Sequence, residues 1–539
     1  MHQLQTLDYI VFFFYFIVVS AYGYWIYQRK KSNVASTKDF FLAEGSLTWW
    51  AIGASLIASN ISAEQFIGMS GNGFSMGLAI SSYEWLAAAT LIVVGVFFMP
   101  IYLKNKIYTM PQFLSQRYNP IVSLIMAIFW LALYILVNLT SILYLGALAI
   151  SGISGINFEL CMVALALFSI VITIGGMKVI GFTDVIQVFF LVVGGLATTY
   201  LAINLVSGDG GIDGVVSGIK MMRTNHDEHF HMIFPKSSPF YLQLPGIAVL
   251  FGGMWVGHLN YWGCNQYITQ RALGADLKTA RNGILFAAFL KVLMPVIVVL
   301  PGIAAYALYS KGLFQAEMLG PDGSINADKA YPVLLNLLPA GLKGLSFAAL
   351  TAAVVASLAG KANSIATIFT LDIFKNYIGK NADEKTLVRI GRFVIVIAMG
   401  LAILASPYMG IDKKGGFQFI QEMTGLLSPG IFASFAMGFF WKRSNSAGAL
   451  FAIVGGFMMA LAMHNNYFPF ADWTQVPFID RMGLVFLICV AGMFVLGYLL
   501  PDERKGLVID SSMFTPHKGF VIGAGGVIAA LVFLYIYFW

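Results

Sequence analysis

A polar segment inside an apolar stretch constrains the fold of this chain more than any other feature. Residues 58–68 (ASNISAEQFIG) place a carboxylate, amides and hydroxyls in the middle of an apolar run over residues 49–77. A run of that length can cross a bilayer, where an unsatisfied polar group costs several kcal/mol, so the interruption must line a cavity inside the protein. Broken helices present free carbonyls to cations and side chains to a substrate. The segment therefore predicts a site for an ion and a solute within a membrane.

The composition agrees with a membrane location. Of the 539 residues, 59% are hydrophobic and only 11% are charged, whereas a soluble domain has about 25% charged residues. The net charge of +7 would suggest a nucleic-acid partner in a soluble chain. Here the cations fall between apolar runs, where they set the topology. We therefore expect a lipid bilayer, and no nucleic acid, as a partner.

The apolar runs predict an all-α polytopic membrane protein that forms a single domain over residues 1–539. At roughly 20 residues per crossing, about fourteen transmembrane helices are expected. The expected spans lie near residues 8–27, 47–75, 78–103, 122–150, 157–176, 182–206, 243–270, 280–309, 331–375, 388–407, 417–441, 447–465, 479–500 and 518–538.

The distribution of cations predicts the orientation of these spans. Most of the 32 Lys and Arg residues fall in loops that are cytoplasmic if the N-terminus is external. The positive-inside rule then places both termini on the outer side. In this interpretation Arg117, Arg271 and Arg281 belong to cytoplasmic loops. Asp184 is expected to cap the N-terminus of the sixth span, with a place on an ion exit path as the alternative.

Two spans are interrupted by polar groups, and their positions predict an internal repeat. The second span and the seventh, residues 244–270, stand five spans apart, and an odd offset means opposite orientation in the membrane. Interrupted helices at corresponding positions of two halves indicate a transporter built from inverted repeats. No sequence similarity between the halves is visible, so the repeat is inferred from spacing alone.

Polar and aromatic groups inside five spans are candidate site residues, because such groups are expensive in hydrocarbon. The aromatic members could instead form an interfacial belt, and Lys291 could form a purely structural ion pair with Glu84. Such a pair would also leave a pocket of little net charge, suited to a neutral solute rich in hydroxyl groups. The candidates are Asn60, Ser62, Glu64, Gln65, Tyr83, Glu84, Trp85, His258, Asn260, Tyr261, Trp262, Asn265, Gln266, Lys291, Gln418, Gln421 and Glu422.

A run of small residues in the ninth span, residues 352–360, allows a close approach between helices. Simple helix packing would explain such a run. The functional alternative is that the Ser357 hydroxyl and the Ala353 carbonyl join the carbonyls of Ala58 and Ile61 around a cation. Hard alkali cations take oxygen ligands, and a monovalent one requires no carboxylate.

Several function classes are excluded by missing motifs. The sequence lacks the phosphate-binding loop GxxxxGK[ST] and the HExxH and GxSxG motifs, so neither an ATP-driven pump nor an enzyme is expected. His226, His229 and His231 lie in the longest external connection without a clear fourth ligand, which favours solvated side chains over a metal site.

Three stretches identify a resemblance to a known family. Residues 57–71 (IASNISAEQFIGMSG), 183–190 (TDVIQVFF) and 363–370 (NSIATIFT) strongly resemble the sodium:solute symporter family, and most closely its bacterial sodium/galactose (sodium/glucose-type) members. The resemblance runs through essentially the whole chain. It implies a LeuT-like core of two inverted five-helix repeats, with one helix before the core and three after it. The implied division is 8–27 for the extra N-terminal helix, 47–206 and 243–441 for the repeats, and 447–538 for the peripheral helices.

The resemblance also implies roles for individual residues. Sugar would be bound by Gln65, Glu84, Lys291 and Gln421, with the ring stacked on Tyr261, and His258 and Asn260 stand where sugar hydroxyls are contacted. The gates would comprise Tyr261 and Trp262 on the inner side, braced by Asn60, and Met69, Tyr83 and Phe417 on the outer side. Sodium would lie between Ala58, Ile61, Ala353 and Ser357, with Ala356 at an adjoining ligand position.

Two positions depart from the family pattern, and a third residue is unusual. His258 stands where the galactose symporters carry an asparagine, which puts galactose itself in question. Ala356 stands where they carry the first of two adjacent serines, so one hydroxyl ligand for sodium is missing. Lys361, near the inner end of the ninth span, is unusual as well.

The predicted function is sodium-coupled import of a neutral sugar across a bacterial inner membrane, with sodium as the coupling ion and both termini periplasmic. A monomer or weak homo-oligomer is expected. The alternatives are sodium symport of an inositol, a sugar acid or an amino acid, or a channel or sensor that binds sugar without accumulating it.

Overall fold

The computed structural model describes residues 4–29, 40–41, 47–320, 323–408, 416–500, 507 and 509–539. In this part of the chain β-structure is limited to one isolated bridge between Leu319 and Ile325. The α-helices are α1 (Thr6–Arg29), α2 (Trp49–Asn60), α3 (Ser70–Met76), α4 (Ser82–Val93), α5 (Met99–Lys104), α6 (Met110–Arg117), α7 (Pro120–Ala132), α8 (Thr140–Ser154), α9 (Phe158–Ile174), α10 (Met177–Ser207), α11 (Gly211–Asn225), α12 (Ala248–Phe251), α13 (Gly253–Gly263), α14 (Gln266–Leu273), α15 (Leu277–Val298), α16 (Leu300–Ser310), α17 (Ala330–Leu337), α18 (Leu342–Thr367), α19 (Glu384–Ala405), α20 (Gly416–Phe440), α21 (Ser446–Leu450), α22 (Gly456–His464), α23 (Phe478–Leu499) and α24 (Lys518–Tyr537).

Tighter and wider helical turns join many of these helices. The π-helical segments are Glu64–Met69, Val94–Phe98, Leu133–Leu139, Ile368–Ile378 and Phe451–Gly455. The 3-10 segments are Gly77–Ser81, Asp227–Phe230, Ala327–Lys329, Ser406–Tyr408, Trp473–Gln475 and Ser511–Phe514.

Eleven helices of the described residues are long and apolar enough to cross a membrane, which makes this a multi-pass membrane protein. Helix α9 is apolar but has 17 residues. The interrupted segments consist of short pieces, with 12 residues in α2 and 11 in α13. All-helical architecture is confirmed, and the number of about fourteen transmembrane helices stays a prediction.

The polar segment breaks its helix where the sequence predicts a break. Helix α2 ends at Asn60, and Ile61 takes an extended conformation with φ −77° and ψ 109°. Ser62 begins the next helical segment by accepting a hydrogen bond of 3.2 Å from the Glu64 backbone N–H to its Oγ. The side chain therefore replaces a carbonyl that the broken helix no longer supplies.

A second break lies in the seventh predicted span. Helix α13 ends at Gly263, and α14 begins at Gln266. Between them, Asn265 is extended, and its side chain accepts a hydrogen bond from the Tyr134 hydroxyl. Both predicted interruptions are therefore present in the structure.

Helix α18 forms the centre of the molecule and packs against α1, α2, α9 and α10. Its residues are almost all buried, because small side chains let the neighbouring helices approach closely. A Cβ atom added at Gly194 of α10, for example, would lie 2.8 Å from the Cβ of Ala349. This packing brings the small-residue run of α18 against the broken end of α2.

Three arginines that were predicted to lie in cytoplasmic loops are buried in the structure. Arg117, Arg271 and Arg281 are each less than 5% exposed. Arg117 Nε donates to the Gly438 carbonyl over 2.8 Å, and Arg281 Nε donates to the Gly95 carbonyl over 3.0 Å. These side chains donate hydrogen bonds to backbone carbonyls of packed helices, which counting cations between spans does not reveal.

The long connection predicted to be external contains a buried histidine, His229. His229 Nε2 lies 3.0 Å from the Phe74 carbonyl, and its ring stacks on Tyr306 with centroids 4.0 Å apart. Burial lowers the pKa of His229, which favours the neutral ring. Within the described residues, no group of three or more His, Cys, Asp or Glu side chains is arranged to hold a metal ion.

Candidate functional site

A cavity lies between the two broken segments and the helices that pack on them. Helices α4, α13, α15 and α20 contribute to its wall, together with the π-helical segment that follows the break of α2. Its lining includes Asn60, Glu64, Gln65, Tyr83, Glu84, Asn138, His258, Tyr261, Trp262, Asn265, Tyr267, Lys291, Lys361, Phe417, Gln421 and Ser428. Polar candidates from five predicted spans therefore meet in one place.

Glu84 and Lys291 form a buried ion pair in this cavity. Lys291 Nζ lies 2.5 Å from Glu84 Oε2, and both side chains are less than 5% exposed. The same ammonium group donates to Asn60 Oδ1 and lies 5.4 Å from the ring centroid of Trp262. Because the two charges cancel, this part of the cavity presents hydrogen-bonding groups without a net charge.

Asn60 holds the tyrosine predicted to close the inner side. Asn60 Nδ2 donates to the Tyr261 hydroxyl over 2.9 Å, and Tyr267 donates to the same hydroxyl. Trp262 packs edge-on against Tyr261 with centroids 5.1 Å apart. The arrangement fits the predicted gate, although the gating role itself stays a prediction.

Gln65 lines the cavity and also forms hydrogen bonds with Ser62 at the helix break. Its Oε1 accepts hydrogen bonds from the backbone N–H of Ser62 over 3.0 Å and from the Ser62 hydroxyl over 3.2 Å. The carbonyl end of the amide therefore caps the broken helix. A solute that contacts Gln65 therefore also contacts the element next to the predicted sodium residues Ala58 and Ile61.

The predicted outer gate residues are only partly brought together. Tyr83 and Phe417 make an edge-to-face contact with centroids 5.1 Å apart, and both line the cavity. A Cβ atom at Gly68 would lie 2.6 Å from the Phe417 Cβ, so glycine permits this approach of α20. Met69 is fully buried and lies outside the described lining of the cavity.

The remaining residues predicted to bind sugar differ in how many of their polar atoms have a hydrogen-bond partner. Asn260 Nδ2 donates to Ser428 Oγ over 3.1 Å, which ties α13 to α20. His258 Nε2 and Asn260 Oδ1 are buried without a hydrogen-bond partner among the described residues. Gln421 lines the cavity from α20. The unpartnered Nε2 of His258, which lines the cavity, is suited to receive a hydroxyl group of a solute, whereas Asn260 lies outside the described lining.

The predicted sodium residues lie at the interface of α2 and α18. Ser357 Oγ donates to the carbonyl of Ser59 over 2.9 Å, next to Ala58 and the extended Ile61. Ala353 and Ala356 are each 1% exposed in the same interface. Serine hydroxyl and helix-end carbonyl oxygens are the donor type that an alkali cation prefers.

A polar network of Ser55, Asp184 and Arg271, which the sequence did not predict, lies near this interface. Asp184 lies within α10, which begins at Met177, so the predicted helix cap at Asp184 is wrong. Its Oδ2 accepts a hydrogen bond of 2.5 Å from Ser55 Oγ and lies 3.9 Å from the Arg271 guanidinium. Arg271 also donates from Nε to the Ser55 carbonyl over 3.1 Å. The sequence feature that could have predicted this network is the carboxylate of Asp184, in the run TDV, inside an apolar helix.

Comparisons with known proteins identify the family of this chain. The model of the "Sodium:solute symporter family" matches residues 40–456. The chain is 48% identical to the sodium/glucose cotransporter of Vibrio parahaemolyticus, over 100% of this chain and 99% of the relative. It is 33% identical to the human sodium/myo-inositol cotransporter 2, over 85% of this chain and 70% of the relative.

The fold has a counterpart among solved structures. The substrate-bound, outward-open structure of a Na+-coupled sialic acid symporter superposes with a TM-score of 0.79 at 22% identity, covering 93% of this chain and 100% of the other. At this identity the likeness concerns the fold alone. The fold and the match over most of the chain establish that this protein belongs to the sodium:solute symporter family.

Proposed function

We propose that this protein is a sodium-coupled symporter that imports a neutral sugar of the galactose or glucose type by alternating access. It lies in a bacterial inner membrane with both termini in the periplasm, and it is no enzyme. The 48% identity to a sodium/glucose cotransporter over the full length supports this assignment. The division into an N-terminal helix, two inverted repeats and three peripheral helices belongs to the same proposal.

The ion pair between Glu84 and Lys291 favours a neutral substrate. The charges of Glu84 and Lys291 are paired at 2.5 Å inside the cavity. A charged solute would have to separate this pair in a low-dielectric environment, which is costly. A neutral solute can instead share hydrogen bonds with the pair and with the unpartnered Nε2 of His258, which lines the cavity.

Coupling follows from the position of the break in α2. Sodium bound between α2 and α18 would fix the carbonyl ends at Ala58 and Ile61. Gln65 caps the same break through Ser62 and lines the sugar cavity. Ion and sugar then favour the same conformations, and each increases the affinity for the other. Each sodium ion that enters supplies about 2.3 kcal/mol per 100 mV of membrane potential.

Accumulation of sugar in proteoliposomes tests this function. We expect radiolabelled galactose or glucose to accumulate above the external concentration when sodium is high outside, and to equilibrate only when potassium replaces sodium. A panel of unlabelled sugars, inositols, sugar acids and amino acids then ranks the substrates by competition. Absence of sodium-dependent accumulation of both galactose and glucose would contradict the proposal.

Import of an inositol is the second candidate. The likeness to a sodium/myo-inositol cotransporter at 33% identity favours it, as does His258 at a position where galactose symporters carry asparagine. An inositol is neutral and rich in hydroxyl groups, so the paired charges accommodate it equally well. The competition panel separates the two, because the better competitor at equal concentration is the preferred substrate.

A further inference from the structure

Lys361 is a buried cation in contact with the hydroxyl group that we assign to sodium. Its side chain is 2% exposed, and its Nζ donates a hydrogen bond of 3.1 Å to Ser357 Oγ, one turn earlier on α18. Ser357 Oγ donates in turn to the Ser59 carbonyl over 2.9 Å. An ammonium, a hydroxyl and a carbonyl therefore connect α18 to the broken end of α2.

This contact uses a ligand that a sodium ion would need. A serine hydroxyl has one proton and two lone pairs, and in Ser357 the proton goes to Ser59 while one lone pair accepts from Lys361. The neighbouring Ala356 offers no second hydroxyl. A sodium ion at Ser357 would also face a like charge at short range, where the low dielectric constant makes repulsion strong. Sodium and the ammonium group therefore compete for Ser357.

Glu64 is a second interaction partner for the ammonium group of Lys361. It lies on the π-helical segment after the break, lines the same cavity as Lys361, and its negative charge attracts the ammonium group. Glu64 Oε1 is held by a hydrogen bond of 3.0 Å from Ser141 Oγ. The flexible lysine side chain can thus leave Ser357 while it keeps its counter-charge.

The other buried charges nearby are already paired. Arg271 faces Lys361 from α14 but lies 3.9 Å from Asp184 and donates to the backbone of Ser55. Tyr267, on the same helix, places its ring centroid 4.7 Å from the ammonium group. Arg271 is thus matched by Asp184, whereas Lys361 is hydrogen-bonded to Ser357 and interacts electrostatically with Glu64.

We infer that Lys361 is a tethered cation that competes with sodium for Ser357 and thereby sets the sodium affinity of the coupling site. The inference rests on the proposed function in assigning sodium to the break of α2. When sodium binds, the ammonium group moves from Ser357 toward Glu64, and it returns when sodium leaves. Lys361 is therefore a determinant of ion affinity and not a ligand of the ion.

Sodium binding to the purified full-length protein tests this without any sugar. Binding of radioactive sodium would be measured by scintillation proximity, at one pH, for the native chain and for Lys361→Met, Lys361→Gln and Lys361→Arg. The two neutral variants should lower the half-saturating sodium concentration at least tenfold, because the competing charge is gone. Lys361→Arg keeps the charge and should leave this concentration unchanged or raise it.

Lys343 supplies a matched control, because it is a second buried lysine on α18, 3% exposed. Lys343→Met should not change sodium binding. Gain of sodium binding in the neutral variants, when the native chain binds none, would also support the inference.

A lysine that merely holds Glu64 in place gives the opposite pattern. The neutral variants would then bind sodium more weakly than the native chain or equally well, which would overturn the inference whatever Lys361→Arg does. Failure of both neutral variants to fold while Lys361→Arg folds would overturn it too, as would absence of sodium binding in every variant. Sugar accumulation is measured separately. Absence of accumulation would count against the proposed function, and the sodium-binding result would still test the role of Lys361.

Discussion

Asn60 and Tyr261 stand 201 residues apart in the sequence, and Asn60 Nδ2 donates a hydrogen bond of 2.9 Å to the Tyr261 hydroxyl. Asn60 is the last residue of α2 and also accepts a hydrogen bond from Lys291. One side chain at the helix break therefore joins the tyrosine of the proposed inner gate to the ion pair in the cavity. A change at any of these groups alters the partners of the others directly.

Tyr261→Phe should loosen the inner gate. The substitution keeps the ring for stacking but removes the hydroxyl that Asn60 and Tyr267 contact. An intramolecular hydrogen bond contributes about 1 kcal/mol, so the gate should shift toward its open state about fivefold. We expect sugar efflux from loaded proteoliposomes to rise by that factor in the absence of sodium. Tyr24→Phe, at an exposed position of α1, serves as the control, and equal efflux from both variants would contradict the gate.

Breaking the ion pair should destabilise the protein more than removing it. Lys291→Met leaves the carboxylate of Glu84 buried and uncompensated, which should lower the free energy of unfolding by about 3–5 kcal/mol. The double variant Glu84→Gln/Lys291→Met should recover most of this loss, because no unpaired charge is left. Thermal unfolding in detergent measures both. If the effects of the two single substitutions simply add, the groups do not stabilise each other.

His258 should control which sugar is preferred. Its buried Nε2 has no partner among the described residues and is suited to a solute hydroxyl. His258→Leu should weaken sugar affinity about tenfold, since a hydrogen bond to a polar partner contributes about 0.5–1.5 kcal/mol and the bulk also changes. His258→Asn should reorder the competition panel toward galactose. Both variants should keep the sodium dependence of the native chain, and an unchanged ranking in both would exclude His258 from sugar recognition.

Ser357→Ala should weaken sodium coupling more than sugar recognition. It removes the hydroxyl group that lies between α18 and the Ser59 carbonyl. We expect the half-saturating sodium concentration for uptake to rise about tenfold, within the range of a lost hydrogen bond to a charged group. The ranking of competing sugars should persist. An unchanged apparent sodium affinity would remove Ser357 from the coupling site.

Gln65 offers a matched pair of substitutions. Gln65→Ala removes both the cavity amide and the acceptor that caps Ser62, so sugar affinity should fall and the sodium requirement should rise together. Gln65→Glu keeps an acceptor for Ser62 but places a charge in the cavity, so it should reduce sugar affinity with a smaller change in sodium requirement. Uptake measured over a grid of sodium and sugar concentrations separates the two effects. Identical behaviour of the variants would argue against a role for Gln65 at the break.

Much of the fold and site could be predicted from sequence because polar groups in apolar runs have few tolerable locations. The break at Ile61 and the gathering of Gln65, Glu84 and Lys291 follow from that cost. The hydrogen-bond partner of each side chain does not follow from that cost. Gln65 was expected to face the sugar, but its carbonyl oxygen also caps Ser62, which depends on backbone geometry after the break.

Charged residues at helix ends were harder to place. Arg271 lies between apolar runs in the sequence and was therefore predicted to be in a loop, yet it is buried against Asp184 and Ser55. Its partners come from α10 and α2, which are distant in sequence. Positive-inside counting treats each such cation as solvated, so only the packing of α2, α10 and α14 reveals the pair.

Sodium movement driven by a sugar gradient tests whether this protein couples the two fluxes. Proteoliposomes would hold equal sodium on both sides with the membrane potential clamped at zero, and an inward sugar gradient would be imposed while influx of radioactive sodium is recorded. Symport predicts that the sugar gradient drives net sodium influx, and that the influx disappears when the sugar is equal on both sides. Sugar flux without any net sodium movement would contradict the account.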